Sequence, residues 1–168
     1  NGLHRLAVLP PPLVFVQLLL GAQLRHISFM AGPGEFRAFL FFHLIVAVAL
    51  FVHALLLVAR TSRTKPHVSK LTVPAVTLAL LIGLQFVLGP ATWIVTYGWP
   101  AGLAEMPFSA GHIVHAKSLS QTMIVTAHVA VGSLVLANAV VVATRSFRLV
   151  RVDATALGST AMLVGLAT

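Results

Sequence analysis

Four long apolar stretches dominate this chain and restrict what it can fold into. They cover roughly residues 6–24, 38–59, 71–97 and 119–144. Each stretch reaches the ~20 residues that a helix needs to cross about 30 Å of hydrocarbon. Only 8% of the 168 residues are charged, whereas a soluble domain carries about a quarter charged residues. The sequence therefore predicts an all-α integral membrane protein with four transmembrane helices.

The second and fourth stretches resemble each other residue by residue. Residues 43–60 read HLIVAVALFVHALLLVAR and residues 128–145 read HVAVGSLVLANAVVVATR, so a histidine opens both and an arginine closes both. The first and third stretches share the pattern Gln-x-x-Leu-Gly-small, in QLLLGA (17–22) and QFVLGP (85–90). The two patterns together predict a four-helix bundle made of two repeated helical hairpins.

The repeat also divides the chain into segments. Residues 1–60 are expected to form the first hairpin and residues 71–145 the second, joined by the basic cytoplasmic linker TSRTKPHVSK (61–70). Residues 146–168 contain an apolar run that is too short to span a bilayer. They are expected to form a cytoplasmic or interfacial tail, or the start of a further helix.

The basic residues fall unevenly between the two sets of loops. Eight of the 11 lysines and arginines lie in the N-terminal segment and in the loops around 60–70 and 145–153, and three lie around 25–37 and 98–118. By the positive-inside rule this predicts a multi-pass protein of the plasma (inner) membrane with both termini cytoplasmic. The charge of +8 is then a topology signal toward the lipid bilayer, with no nucleic-acid partner. The absence of cysteine excludes disulfides and thiolate metal sites.

His43 and His128 are the candidate ligands of a cofactor. Each stands seventeen residues before its arginine, about 25 Å along a helix, so the repeat predicts both histidines at one depth, pointing into the bundle. Two facing imidazoles are what a bis-histidine haem b requires. A hydrogen bond between helices is the alternative role, and two histidines are too few ligands for zinc.

Other histidines have weaker claims to a function. His53 is matched in the repeat by Asn138, and we expect it to form a hydrogen bond between helices, with Asn138 as the candidate partner. In the second outer loop, His112 and His115 follow Glu105, and on a helical turn the two imidazoles would share a face. That loop is either an interfacial segment with an aromatic belt or a metal or haem-propionate contact.

Two segments of the chain resemble the haem A synthase family. They are QLLLGAQLRH (17–26), followed by Glu35 and His43, and QFVLGPATWIV (85–95), followed by His128. Those enzymes oxidise the C8 methyl of haem O to the formyl group of haem A, and they consist of two pseudo-symmetric four-helix halves. The resemblance implies that this chain is one compact half and that its two histidines are axial ligands of haem b, or of haem O or haem A as substrate or product. It also implies that Glu35 is the outer-loop carboxylate of the chemistry.

A single histidine pair leaves several interpretations open. A compact member of that family would oligomerise or would use its one site for the substrate haem, so a homo-oligomer or the subunits of a membrane complex are expected partners. The alternatives are a non-enzymatic haem b electron-transfer subunit of a respiratory or photosynthetic complex and a haemless structural subunit of one.

Overall fold

The fold is that of a computed structural model, which describes the backbone of residues 2–27, 32–63 and 69–165 and their side chains except at Ser69 and beyond residue 148. These residues contain α-helices and one 3₁₀ turn, with no strand among them. The α-helices are α1 Gly2–Val8, α2 Pro10–His26, α3 Pro33–Ser62, α4 Ser69–Tyr97, α5 Ala101–Ala104 and α6 Leu119–Gly165, and the 3₁₀ turn is Pro107–Ser109.

Four helical segments are long and apolar enough to cross a membrane, which confirms the predicted all-α fold with four transmembrane helices. They are Gly2–His26, Pro33–Ser62, Lys70–Tyr97 and Leu119–Arg148. The first segment starts before the predicted span, because α1 precedes the apolar part of α2.

The first span contains a break at Leu9, between α1 and α2. Residues 10–12 are all proline, and proline has no N–H to donate to the carbonyl four residues earlier. Long backbone hydrogen bonds still join the two helices, from Leu9 N–H to the Arg5 carbonyl at 3.3 Å and from Leu13 N–H to the Leu9 carbonyl at 3.4 Å. The first span is therefore a helix interrupted at one position rather than two separate elements.

Helix α6 has a defined start and an unusual length. The Ser118 hydroxyl accepts the Gln121 N–H at 3.2 Å, and the Gln121 side-chain oxygen accepts the Lys117 N–H at 2.6 Å. This reciprocal arrangement closely resembles a capping box and fixes where the helix begins. From Leu119 the helix runs for 47 residues without interruption. Residues 146–165 therefore continue α6 and do not begin a new helix, and 166–168 lie outside the described residues.

The chain packs as two compact units. Unit 1 comprises Asn1–Ala79 and Leu136–Thr168, and unit 2 comprises Leu80–Val135. Unit 1 thus holds α1, α2, α3, the beginning of α4 and most of α6. Unit 2 holds the end of α4, the loop with α5 and the beginning of α6.

Within unit 1, positions that correspond in the repeat are buried alike. In the spans that carry the histidines the offset is 85 residues (His43 to His128), and in the spans that carry the glutamines it is 68 (Gln17 to Gln85). Each member of the following pairs is buried, with at most 3% of its surface exposed: Ala54 and Ala139, Leu57 and Val142, Thr61 and Ser146, Ala7 and Ala75, Pro10 and Leu78. The repeat in the sequence is therefore also a repeat of the packing.

Contacts between α1 and α6 join the two hairpins in unit 1. The Ser146 hydroxyl donates to the Ala143 carbonyl at 2.7 Å and accepts from Nδ1 of His4 at 3.3 Å. The His4 ring also packs edge-on against Phe147, with 4.5 Å between ring centroids. His4 thus connects α1 to α6.

Candidate functional site

His43 lies on α3 and is held by a side chain from α2. The Gln17 amide nitrogen is 3.2 Å from Nε2 of His43. An amide NH₂ can only donate, so the imidazole nitrogen accepts this hydrogen bond. Nε2 of His43 therefore carries a lone pair, and in the neutral ring the proton is on Nδ1. This is the tautomer that an iron ligand bonding through Nε2 needs.

A glycine leaves room for the His43 ring against α2. A Cβ atom at Gly21 would lie 3.3 Å from Cε1 of His43 and 3.8 Å from its Nδ1. Gln17 and Gly21 are four residues apart and so share one face of the helix. The glutamine binds the ring at one edge while the glycine lets the same ring approach the helix backbone.

His128, on α6 in unit 2, has the same two kinds of neighbour on α4. A Cβ atom at Gly89 would lie 3.7 Å from Cε1 of His128. The Gln85 amide donates at 2.9 Å to the main-chain carbonyl of His128 rather than to its ring. Among the described residues, the buried atoms Oε1 of Gln85 and Nδ1 of His128 have no hydrogen-bond partner.

The local arrangement was only partly visible in the sequence. The shared Gln-x-x-Leu-Gly pattern indicates the repeat. In the structure, the glutamine and the glycine of this pattern lie next to the histidine of the same hairpin. The sequence did not indicate that contact. His43 belongs to unit 1 and His128 to unit 2, so the structure places each histidine among its own neighbours. That the two face each other stays a prediction.

His53 does form a hydrogen bond to another helix, but the predicted partner Asn138 is wrong. His53 Nε2 donates to the Leu6 carbonyl at 2.6 Å. This carbonyl would accept the N–H of residue 10 in a regular helix, and residue 10 is proline, so His53 satisfies a group that the proline leaves without its donor. Asn138 instead donates to the carbonyl of Pro74 at 2.8 Å.

Glu35 lies in the first turn of α3 and is exposed. A carboxylate in that position is stabilised by the helix dipole. It precedes His43 by eight residues, about 12 Å along the helix axis, which is too far for a hydrogen bond to the imidazole. Within the described residues its carboxylate forms no ion pair with Arg25 or Arg37. The catalytic role that the resemblance implies for Glu35 stays a prediction.

The outer loop does not bring His112 and His115 onto one helical face. Residues 112–115 are not helical, because α6 begins only after Ser118. His112 makes a long contact from Nε2 to the Ile94 carbonyl, at 3.4 Å, and its ring lies 6.3 Å from that of Trp99. His115 and Glu105 are exposed. The two imidazoles therefore do not share the face that a helical turn would give them, and the two interpretations of this loop stay predictions.

No cluster of three or more histidine, cysteine, aspartate or glutamate side chains suited to a metal ion occurs in the part of the chain that the structure describes. This finding does not bear on a haem, whose iron takes only two protein ligands.

Comparisons with protein-family models, with curated proteins and with solved structures found no match to this chain. The resemblance to haem A synthase therefore rests on the residues and motifs of the sequence itself.

Proposed function

We propose that this chain is a haem-binding membrane protein with His43 and His128 as the axial ligands. One observation carries the proposal: both hairpins contain a histidine bonded by a glutamine of the neighbouring helix and packed on a glycine. A hydrogen bond to another helix would be a sufficient role for a single intramembrane histidine. Two copies of one arrangement supply the pair of nitrogens that a six-coordinate haem iron takes.

The reaction proposed is that of haem A synthase, oxidation of the haem O methyl group to the formyl group of haem A. Bound haem supplies the redox chemistry, and the protein supplies binding, orientation and electrostatics. With water as the source of the formyl oxygen, oxidation of the methyl group releases four protons and four electrons, so the proposal requires a redox-active electron acceptor outside this chain. Glu35, exposed at the start of α3, is proposed to take up and release the protons.

The proposed location is the plasma (inner) membrane with both termini cytoplasmic. The eight-against-three distribution of basic residues supports that orientation. A homo-oligomer or a membrane complex would supply the second haem site that one histidine pair cannot provide.

A haem b electron-transfer subunit, or a structural subunit of a respiratory or photosynthetic complex, is the second candidate. The position of Glu35 favours it, since the carboxylate is about two helical turns from His43 and has a sufficient structural role at the helix N-terminus. Electron transfer needs the two ligands and no outer-loop acid.

The test is the pigment of the detergent-purified chain, measured by a reduced-minus-oxidised spectrum and by mass analysis of the extracted haem. We expect a low-spin haem that is lost in His43→Ala and in His128→Ala. The matched control is His53→Asn, which removes a third intramembrane histidine but introduces the residue that the repeat has at the corresponding position.

The identity of the extracted haem separates the two candidates. Haem O or haem A supports the synthase, and haem b alone supports the electron carrier. A colourless protein, or haem retained at wild-type levels in both alanine variants, would contradict the ligand assignment.

A further inference from the structure

The two histidines differ in how their glutamines hold them. Gln17 donates to the ring nitrogen Nε2 of His43 at 3.2 Å, whereas Gln85 donates to the main-chain carbonyl of His128 at 2.9 Å. Gln17 therefore engages the lone pair of its imidazole, while Gln85 leaves the ring of its histidine without a hydrogen bond from the amide.

The lone pair on Nε2 of His43 can serve one partner at a time. An N–H donor and an iron ion both require the same in-plane lone pair of the imidazole. If iron takes it, the Gln17 amide loses the only side-chain hydrogen bond it makes among the described residues, and its oxygen is already buried without a partner there. Within a membrane span, an unsatisfied polar group is costly.

We propose, resting on the haem-binding function above, that His43 is the displaceable ligand and His128 the fixed one. Gln17 is the positioning residue that makes the difference, because it recaptures Nε2 of His43 whenever that nitrogen leaves the iron. An external ligand of the iron therefore binds on the His43 side, and carbon monoxide is the probe of that side.

The experiment is an equilibrium titration of the ferrous, haem-loaded full chain with carbon monoxide, followed by absorbance. Gln17→Leu removes the donor, so His43 holds the iron more firmly and the carbon monoxide affinity falls. We expect a decrease of about five- to tenfold, the factor that corresponds to roughly 1.0–1.4 kcal/mol for one hydrogen bond.

One matched variant serves as the control. Gln23→Leu makes the same change at an exposed position of the same helix. It should change the affinity by no more than about twofold, which lies within the ~0.5 kcal/mol expected of a surface substitution without a specific role. Gln17→Met, which keeps an unbranched side chain and lacks the donor, should reproduce Gln17→Leu and carries the test if the leucine variant does not fold.

The spectrum of the ferrous chain before carbon monoxide is added distinguishes a positioning role from a general structural one. It should stay low-spin in Gln17→Leu, because His43 then remains on the iron, whereas a structural defect would detach His43 and give a high-spin spectrum. An unchanged affinity in the Gln17 variants, an equal decrease in Gln23→Leu, or a high-spin spectrum of Gln17→Leu would overturn the proposal. Absence of haem from the wild-type chain would instead overturn the proposed function, so the two failures are distinguishable.

Discussion

Replacement of Gly21 by alanine is the sharpest test of how the proposed ligand histidines are held. The new Cβ atom would lie 3.3 Å from Cε1 of His43, whereas two carbon atoms are comfortable at about 3.5–4.0 Å. The imidazole must therefore move away by roughly 0.2–0.7 Å. Its hydrogen bond from Gln17 is already 3.2 Å long, at the limit of good geometry, so the same movement weakens that bond unless Gln17 follows.

The repeat supplies one matched glycine on α4, Gly89, and Gly83 on the same helix is a second control. At Gly89 the new Cβ atom would lie 3.7 Å from Cε1 of His128, an ordinary contact, and at Gly83 it would meet nothing within 4 Å. Alanine is favoured over glycine within a helix by about 0.5–1 kcal/mol. Gly83→Ala and Gly89→Ala should therefore stabilise the protein by about that amount. Gly21→Ala should gain the same stability from helix propensity. It should also lose about 1 kcal/mol of stability because the new Cβ atom crowds the imidazole, a common cost of overpacking.

The assay combines thermal unfolding in detergent with the absorbance and electron paramagnetic resonance spectra of the haem-loaded chain. We expect a higher Tm and unchanged spectra for Gly83→Ala and Gly89→Ala. For Gly21→Ala we expect no gain in Tm and a shifted low-spin signal. Equal gains in Tm with identical spectra at Gly21 and Gly89 would refute the argument that the small residue at 21 sets the position of the ring.

Three further predictions follow from single contacts. His53→Leu should lower the free energy of unfolding by roughly 0.6–1.7 kcal/mol, the range measured for hydrogen bonds between membrane helices, because the Leu6 carbonyl loses its donor. His53→Asn should lower the free energy of unfolding by a smaller amount. Equal unfolding curves for the two variants would contradict this. Under the proposed synthase function, Glu35→Gln should leave haem content unchanged but slow formyl production by about a hundredfold, as loss of a proton-transfer group does, whereas Glu105→Gln should not. Haem analysis over time decides, and equal rates would remove Glu35 from the proposed chemistry. Ser118→Ala should lower the free energy of unfolding by about 1 kcal/mol, because the helix cap is lost. The measurement is a lower Tm with unchanged haem spectra. An unchanged Tm would show that the cap is dispensable.

The features of the fold that depend on length and periodicity could be predicted from the sequence. Four apolar runs of sufficient length predicted four spans, and the structure has them. The repeat predicted which positions correspond, and pairs such as Ala54 and Ala139 are equally buried. These features are recoverable because the thickness of the bilayer and the helical period act on every residue of a span.

The features that the sequence did not predict depend on the hydrogen bonds and conformation of particular backbone groups. The partner of His53 could not be found by comparing side chains, since it is a carbonyl that Pro10 leaves without its helical donor. His112 and His115 do not lie on a helical turn because α6 begins only at its cap Ser118, after Lys117 adopts a left-handed conformation with φ of 61°. In both instances one local backbone requirement outweighed the pattern of side chains.

A difference between the two copies of the repeat supports the proposal that His43 and His128 are ligands. His53 and Asn138 correspond in the repeat, and they bond to the corresponding carbonyls of Leu6 and Pro74. A hydrogen bond between helices is thus made equally well by an imidazole and by an amide. At His43 and His128 the imidazole is present in both copies, together with its glutamine and glycine. If those positions required only a hydrogen bond, the exchange seen at His53 would suffice there too. An imidazole in both copies is instead what coordination of iron from two sides demands, so His43→Asn should lose the haem even where it preserves the fold.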